Sequence, residues 1–246
     1  MLYHSMLQQT YEDYELIVVD DYPNRNYGDK FRDAGINVKF WGESKEKCFK
    51  DTPFNQMNAV NTGILKTSRQ SDVAIIIEDY MWFPKDGLHK WAKFYEIHDL
   101  NTLGTGVGGV RNYKPPEKVD GWSAWNEDFN GEFEELPLED VWTPEVWEWF
   151  YNAIPIVVLE EINGINEEYD YWREFPCLVF PPIIDSLGYE MLVCPDNRME
   201  MIDHRLWHLG GDKWWHLSNL VRMQYSGGRD FDVISPNCFN FRRDRG

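Results

Sequence analysis

The chain has 246 residues, enough for one large α/β domain, and 43% of them are hydrophobic, which excludes a disordered chain. Its formal net charge of −18 disfavours nucleic acid and anionic membrane surfaces as partners, because such a surface repels phosphate groups. No run of 18 apolar residues predicts a transmembrane helix, and no signal peptide is predicted at the N-terminus.

Two short apolar strands are predicted in the first third of the chain, and each ends in acidic residues. Leu16 to Val19 leads into Asp20 and Asp21, and Val73 to Ile77 leads into Glu78 and Asp79. Such runs are typical of buried parallel strands whose carboxyl ends open into a ligand crevice. A third strand over 37–40 and helices over 55–66 and 87–98 complete an alternating α/β pattern.

The rest of the chain is less regular. The glycine-rich segment 103–110 lacks the spacing of a phosphate loop and predicts a strand entry or a turn. Residues 111–145 predict long loops over a rim, apolar character resumes over 157–165, and a late strand is predicted over 189–194. The basic tail, 239–246, is predicted to be partly mobile.

The four cysteines are widely spaced and form no C-x-x-C pair, which excludes an obvious zinc or redox motif; they are Cys48, Cys177, Cys194 and Cys238. Isolated cysteines in a chain of this size are usually small buried hydrophobic residues. This spacing therefore favours a reducing, cytoplasmic setting.

Several segments resemble the family 2 glycosyltransferases. They are Gln9-Thr10-Tyr11 followed by Val18-Val19-Asp20-Asp21, then Asn61-Thr62-Gly63-Ile64, then Glu78-Asp79 followed by Trp82-Phe83-Pro84, then Asn163 to Asp170, and finally 189–208. The resemblance implies a single GT-A domain of the nucleotide-diphospho-sugar transferase type, with a mixed, mainly parallel sheet flanked by helices. It further implies a nucleotide-binding half (1–100), an acceptor and catalytic half (101–215) and a C-terminal tail (216–246). The chain begins inside the helix that follows the family's first strand, so that strand is expected to be missing.

The resemblance also implies roles for particular residues. Asp20 and Asp21 would bind the uracil or ribose, Asn61 and Glu78 would line the nucleotide, and Asp79 would hold Mn²⁺ or Mg²⁺ together with His204 and His208. The chemistry agrees, because a carboxylate accepts hydrogen bonds from a ribose, and hard oxygen ligands suit a cation that neutralises a diphosphate.

Two candidates are available for the general base that deprotonates the acceptor. Glu174 stands near the place expected from the resemblance, and Asp185 is the second candidate; a surface ion pair is the alternative role for either. Trp82 and Trp172 are candidates for contacting the sugar or the acceptor, because flat apolar rings suit the C–H faces of sugars, although filling the core is the alternative role.

Together these observations predict metal-assisted transfer of a sugar from a nucleoside-diphosphate sugar, with a UDP-sugar as the expected donor and a carbohydrate or glycoconjugate as acceptor. If inverting relatives are the guide, the reaction is one direct displacement. The alternative is a catalytically inactive GT-A-like binding or assembly module, favoured by the missing strand and by Tyr80 and Phe175, where relatives carry acids. A nucleotidyltransferase would need a basic glycine-rich loop near its start, and none is visible.

Overall fold

The structure is a computed structural model that describes residues 2–20, 28–50, 55–78, 81–112, 132–134, 151–171, 175–202 and 234–245. The first half of the chain has the predicted alternating α/β pattern, with one additional helix (Gly28–Asp33) and one additional short strand (Met81–Trp82) that were not predicted. Its elements are α1 (Leu2–Leu7), β1 (Leu16–Val19), α2 (Gly28–Asp33), β2 (Val38–Gly42), α3 (Gln56–Leu65), β3 (Val73–Ile77), β4 (Met81–Trp82) and α4 (Gly87–Ile97). None of the described helices is long and apolar enough to cross a bilayer.

The second half contributes most of the larger sheet. Its described elements are β5 (Thr102–Asn112), β6 (Glu132–Glu134), β7 (Tyr151–Pro155), α5 (Ile156–Glu161), a 3₁₀ helix (Glu167–Tyr171), α6 (Phe175–Ser186), β8 (Glu190–Ile202) and α7 (Phe241–Asp244). The glycine-rich segment is thus a strand. The late strand continues eight residues beyond the predicted end at Cys194.

The described strands form two sheets. β1 and β2 pair in parallel, and a six-stranded sheet has the order β3-β7-β5-β8-β4, with β6 paired to β5. β5 and β8 are parallel, whereas the β3–β7, β5–β7, β5–β6 and β4–β8 pairs are antiparallel. The predicted mixed α/β fold is confirmed, although antiparallel pairs are more frequent among the described strands than predicted.

The directions of the strands decide which loops share an edge. β3 and β5 are both antiparallel to β7, so they run in the same direction, and β8 is parallel to β5. The carboxyl ends of β3 and β8 therefore lie at one edge of the sheet. We call this the carboxyl edge.

The larger sheet separates two hydrophobic clusters. Successive side chains of a strand point to opposite faces, and β7 shows this directly: Ile154 belongs to one cluster, and Tyr151 and Ala153 belong to the other. The first cluster includes Met57 of α3, and the second includes Trp91 of α4. All five residues of β7 are buried, as expected for a strand covered on both faces.

The glycines of β5 are explained by aromatic rings that lie against the strand. A Cβ atom at Gly104 would come within 2.4 Å of the Trp91 ring, and one at Gly106 within 2.5 Å of the Tyr151 ring. These glycines allow close packing rather than phosphate binding, in agreement with the prediction from their spacing.

The C-terminal segment (residues 234–245) is packed against the domain, so the prediction of a partly mobile tail is wrong for its described residues. Phe241 is fully buried, and its backbone N–H donates to Asn163 Oδ1. The Asn163 side chain also donates to the carbonyl groups of Ser235 and Phe239. Three contacts from one asparagine thus fix the segment.

Two of the cysteines form a disulfide. Cys48 and Cys238 are 190 residues apart in sequence, with their Cα atoms 5.2 Å apart. Cys194 is free and half-buried. The prediction that the cysteines are isolated residues is therefore wrong for this pair, and the argument for a reducing compartment does not hold for it.

Candidate functional site

The carboxyl ends of β1 and β3 lie at the same edge, although no backbone hydrogen bond joins these two strands in the described residues. At the beginning of both strands, the Glu15 carboxylate accepts from Ser68 N at 2.6 Å and from Ser71 Oγ at 2.8 Å. At the other end, α3 begins beside the residue that follows β3, because Gln56 Nε2 donates to Glu78 Oε1 at 2.8 Å.

Helix α3 connects the two strands on one face. A Cβ atom at Gly63 would lie 3.6 Å from Val19 and 3.7 Å from Ile17, so this part of α3 rests directly on β1. On the same face, Ile64 of α3 and Ile76 of β3 belong to one cluster. The helix therefore runs antiparallel to both strands, and its N-terminus lies at the carboxyl edge.

Two of the predicted nucleotide-binding acids stand at this edge. Asp20 directly follows β1 and is half-buried, and its backbone N–H continues the pairing with β2 by donating to Gly42 O at 2.8 Å. Glu78 directly follows β3 and is also half-buried. The next residues in the chain, Asp21 and Asp79, lie outside the described residues.

The predicted metal site falls on residues that the structure does not describe, but the residues that flank them are neighbours. Met81 of β4 is paired with Met201 of β8, and Trp82 is paired with Glu200. Asp79 precedes Met81 by two residues in the sequence, and His204 follows Met201 by three, so the chain segments that lead to both residues start from this pair. His208 also lies outside the described residues, and Trp82 is half-buried. Among the residues that the structure does describe, no three His, Cys, Asp or Glu side chains could together hold a metal ion.

Asn61 is placed differently from its predicted role at the nucleotide. It is completely buried, its Nδ2 donates to Ile165 O and Glu167 Oε1, and its Oδ1 accepts from Ile165 N. The side chain therefore holds the turn before the 3₁₀ helix and has no exposed surface for a nucleotide. A Cβ atom at Gly164, where φ is +74°, would lie 2.8 Å from Asn61 Oδ1, so only glycine fits at this point of the turn.

Two buried carboxylates of the 3₁₀ helix were not among the predicted site residues. Glu167 is 1% exposed and forms an ion pair with Lys45, and it accepts from Asn58 Nδ2, Asn61 Nδ2 and Cys48 N. Both acids lie in the segment Asn163 to Asp170, which resembles a segment of family 2 glycosyltransferases, but that resemblance implies no role for either acid.

Asp170 caps the N-terminus of α3. Its two oxygens accept from Met57 N at 2.7 Å and from Asn58 N at 3.0 Å, which satisfies donors that the helix cannot satisfy itself. The pKa of Asp170 is raised to about 6, and burial is the largest cause. The nearby charge of Glu167 also raises this pKa, whereas the two hydrogen bonds lower it. A buried carboxylate thus fixes the end of α3 that lies at the carboxyl edge.

Of the two candidates for the general base, the structure describes only Asp185. Asp185 is exposed near the end of α6, shortly before β8 begins at Glu190. It therefore lies toward the opposite end of β8 from Met201, and this position does not favour a role for Asp185 at the carboxyl edge. Glu174 and Trp172 lie outside the described residues.

Three solved structures share this architecture. GalNAc-T7 with UDP, GalNAc and Mn²⁺ has a TM-score of 0.55 and 14% sequence identity, and the match covers 81% of this chain and 39% of that one. TarS of S. aureus has a TM-score of 0.56 and 13% identity, and the match covers 94% of this chain and 62% of TarS. The mannosyltransferase PcManGT from Pyrobaculum calidifontis with GDP-Man and Mn²⁺ has a TM-score of 0.54 and 16% identity, and the match covers 97% of this chain and 62% of PcManGT. The chain spans from 39% to 62% of the lengths of these proteins.

At such low identity the similarity concerns the fold. No protein-family model and no curated protein matches the sequence, so the resemblance to family 2 stays a prediction. The chain nevertheless has the architecture that was predicted from its motifs. It has the GT-A fold of nucleotide-sugar glycosyltransferases.

Proposed function

We propose that this chain binds a nucleoside-diphosphate sugar at the carboxyl edge and transfers the sugar to a carbohydrate or glycoconjugate acceptor. The observation that carries the proposal is the position of Asp20 and Glu78, which follow two different strands and stand at one edge beside the N-terminus of α3. Ligands of open α/β sheets bind in the crevice at this end of the strands.

The nucleoside is assigned to the acids that follow β1. Asp20 and Asp21 would accept hydrogen bonds from the ribose hydroxyls or from a base N–H, and a UDP-sugar is the expected donor. Glu78 would lie next to the nucleotide, with its position fixed by Gln56 at 2.8 Å. Asn61 has only an indirect part in this proposal, because its side chain is fully used in holding the turn at Ile165.

A divalent cation, Mn²⁺ or Mg²⁺, is assigned to Asp79, His204 and His208. The support is the pairing of Met81 with Met201, which brings the chain segments that lead to these residues side by side. Carboxylate and imidazole ligands fit Mn²⁺, and carboxylate oxygen fits Mg²⁺. Such an ion, when bound, neutralises charge on the departing diphosphate.

The acceptor side of the reaction is assigned to the second half of the chain. We retain Glu174 as the base that takes the proton from the acceptor hydroxyl, with Trp82 and Trp172 as flat surfaces for sugar rings. In a direct displacement, the acceptor oxygen forms the new bond to the anomeric carbon while the bond to the diphosphate breaks, which inverts that carbon. Residues 1–100 would then carry the donor, residues 101–215 the acceptor, and residues 216–246 the tail.

Ligand-induced stabilisation tests this proposal. We expect the melting temperature to rise with a nucleoside diphosphate or its sugar when Mn²⁺ is present, and UDP, GDP and CMP compounds should be compared. Asp79→Asn should abolish the shift, whereas Asp72→Asn, an exposed acid just before the other end of β3, should keep it. If no nucleotide stabilises the wild type, or if Asp79→Asn binds as well as Asp72→Asn, the assignment is wrong. The first of these results would favour the inactive binding module.

A further inference from the structure

The disulfide joins two segments that belong to opposite ends of the sequence. Cys48 lies in the β2–α3 loop (described residues 43–50), and Cys238 lies in the C-terminal segment. Cys238 is exposed and Cys48 is half-buried, so a small reductant can reach the bond. The loop leads through residues 51–54 to the N-terminus of α3, which lies at the carboxyl edge.

Both joined segments contact the same buried residue, Glu167. In the β2–α3 loop, Cys48 N donates to Glu167 Oε2 at 3.1 Å, and Lys45 forms an ion pair with Glu167 Oε1. In the C-terminal segment, Asn237 Oδ1 accepts from the backbone N–H of Glu167 at 3.1 Å. The Lys45 ammonium also lies 4.7 Å from the centre of the Phe239 ring, so the two segments touch each other as well.

Glu167 in turn contacts α3, the helix whose N-terminus lies at the proposed nucleotide site. Its carboxylate accepts from Asn58 Nδ2 at 3.2 Å and from Asn61 Nδ2 at 3.0 Å. A buried charge is tolerated only while its partners remain in place, because an unpaired carboxylate in the interior is costly. Any displacement of the β2–α3 loop therefore disturbs the position of Glu167 and, through it, the first turns of α3.

We propose that the Cys48–Cys238 disulfide is a redox-sensitive latch that holds the β2–α3 loop on Glu167 and thereby sets the affinity of the carboxyl edge for its nucleotide. A dithiol opens the latch: the S–S bond takes up two electrons and two protons to give two thiols, and the dithiol becomes a cyclic disulfide. Once open, the loop is held only by noncovalent contacts, and the two partners of Glu167 that it carries, Cys48 N and Lys45, are no longer fixed by a covalent bond. The part of this inference that concerns affinity rests on the proposed function.

The test compares the oxidised wild type, the wild type reduced with dithiothreitol, and the Cys238→Ser variant. The affinity for UDP with Mn²⁺ is measured by calorimetry, and backbone hydrogen exchange is followed over residues 43–50. We expect the two open forms to bind UDP at least about fivefold more weakly than the oxidised protein, which is the range typical of coupled sites. Their loop amides should also exchange faster, whereas Cys194→Ser, which keeps the disulfide, should behave as the wild type does.

The two measurements separate the possible failures. Equal affinities in the oxidised and open forms overturn the latch, even if the open forms are globally less stable, because the disulfide then only stabilises the fold. Unchanged hydrogen exchange in the loop also overturns it. If the oxidised protein binds no nucleotide, the proposed function fails, and the hydrogen exchange alone decides whether the disulfide holds the loop.

Discussion

Asp170 gives a prediction whose sign and size follow from the structure. The residue is 2% exposed, its carboxyl group accepts hydrogen bonds from two backbone N–H groups at the start of α3, and burial raises its pKa to about 6 from the ordinary 3.8. The folded protein therefore binds this proton more tightly than the unfolded chain does. The contribution of Asp170 to stability is full below about pH 4 and is lost as the pH rises through 6.

The size of the effect follows from the shift of about two pKa units. Each unit corresponds to 1.36 kcal/mol, so the free energy of unfolding should gain up to about 3 kcal/mol from this group between pH 7 and pH 4. The substitution Asp170→Asn keeps the shape of the side chain and one acceptor oxygen but has no proton to bind. The wild type should therefore gain stability relative to Asp170→Asn as the pH falls.

Urea unfolding of both proteins at several pH values between 7 and 4.5 measures this difference. The difference between wild type and variant removes the contributions of all other titrating groups. Asp72→Asn is the matched control, because it leaves the buried carboxyl group in place and should keep the pH dependence that Asp170 produces. If the wild type and Asp170→Asn change in parallel over this range, the pKa of Asp170 is not raised in the folded protein, and the attribution of a raised pKa to its burial is wrong.

Three further predictions concern packing and the disulfide. Gly164→Ala should lower the free energy of unfolding, measured in urea, by about 1–3 kcal/mol, because it places a Cβ atom against Asn61 at a positive φ; a loss below about 0.5 kcal/mol would contradict this. Gly104→Ala should cost a similar amount, about 1–3 kcal/mol, since its Cβ atom would overlap the Trp91 ring, and a loss below 0.5 kcal/mol would contradict the packing. Cys238→Ser should lower the free energy of unfolding by about 2–5 kcal/mol under oxidising conditions. Dithiothreitol should not lower the stability of this variant further, because the disulfide is already absent. An unchanged urea midpoint of Cys238→Ser under oxidising conditions would argue against the disulfide.

The strands that end at the site were predictable because their residue types leave few alternatives. Leu16–Val19 and Val73–Ile77 are continuous apolar runs that end in acids, and both are strands. The length of β8 was underestimated because Pro195 to Asn197 reads as a turn. In the structure, the pairing with β5 shifts at this point, and the strand continues. Asn197 is fully buried there, where it accepts from the Tyr151 hydroxyl.

The residues around Glu167 could not be assigned from the sequence because their roles depend on contacts between distant segments. Cys48 and Cys238 carry no spacing that pairs them, since 190 residues separate them. Asn61 has the same residue type whether it binds a nucleotide or fixes a turn, and only its burial separates these roles. Asp185 lies near the beginning of β8, so its distance from the carboxyl edge depends on the direction in which β8 runs through the sheet. The residues around Asp185 do not indicate that direction.

The central claim is that the acids that follow β1 and β3 face one site. The distance between spin labels attached through Asp21→Cys and Asp79→Cys, in a background with Cys177→Ser and Cys194→Ser, tests it most directly. The reference is the pair Asp21→Cys and Asp72→Cys, because positions 72 and 79 are separated by about 23 Å if the chain is extended along β3. We predict a clearly shorter distance for the 21–79 pair than for the 21–72 pair; equal distances, or the reverse order, would contradict the shared site.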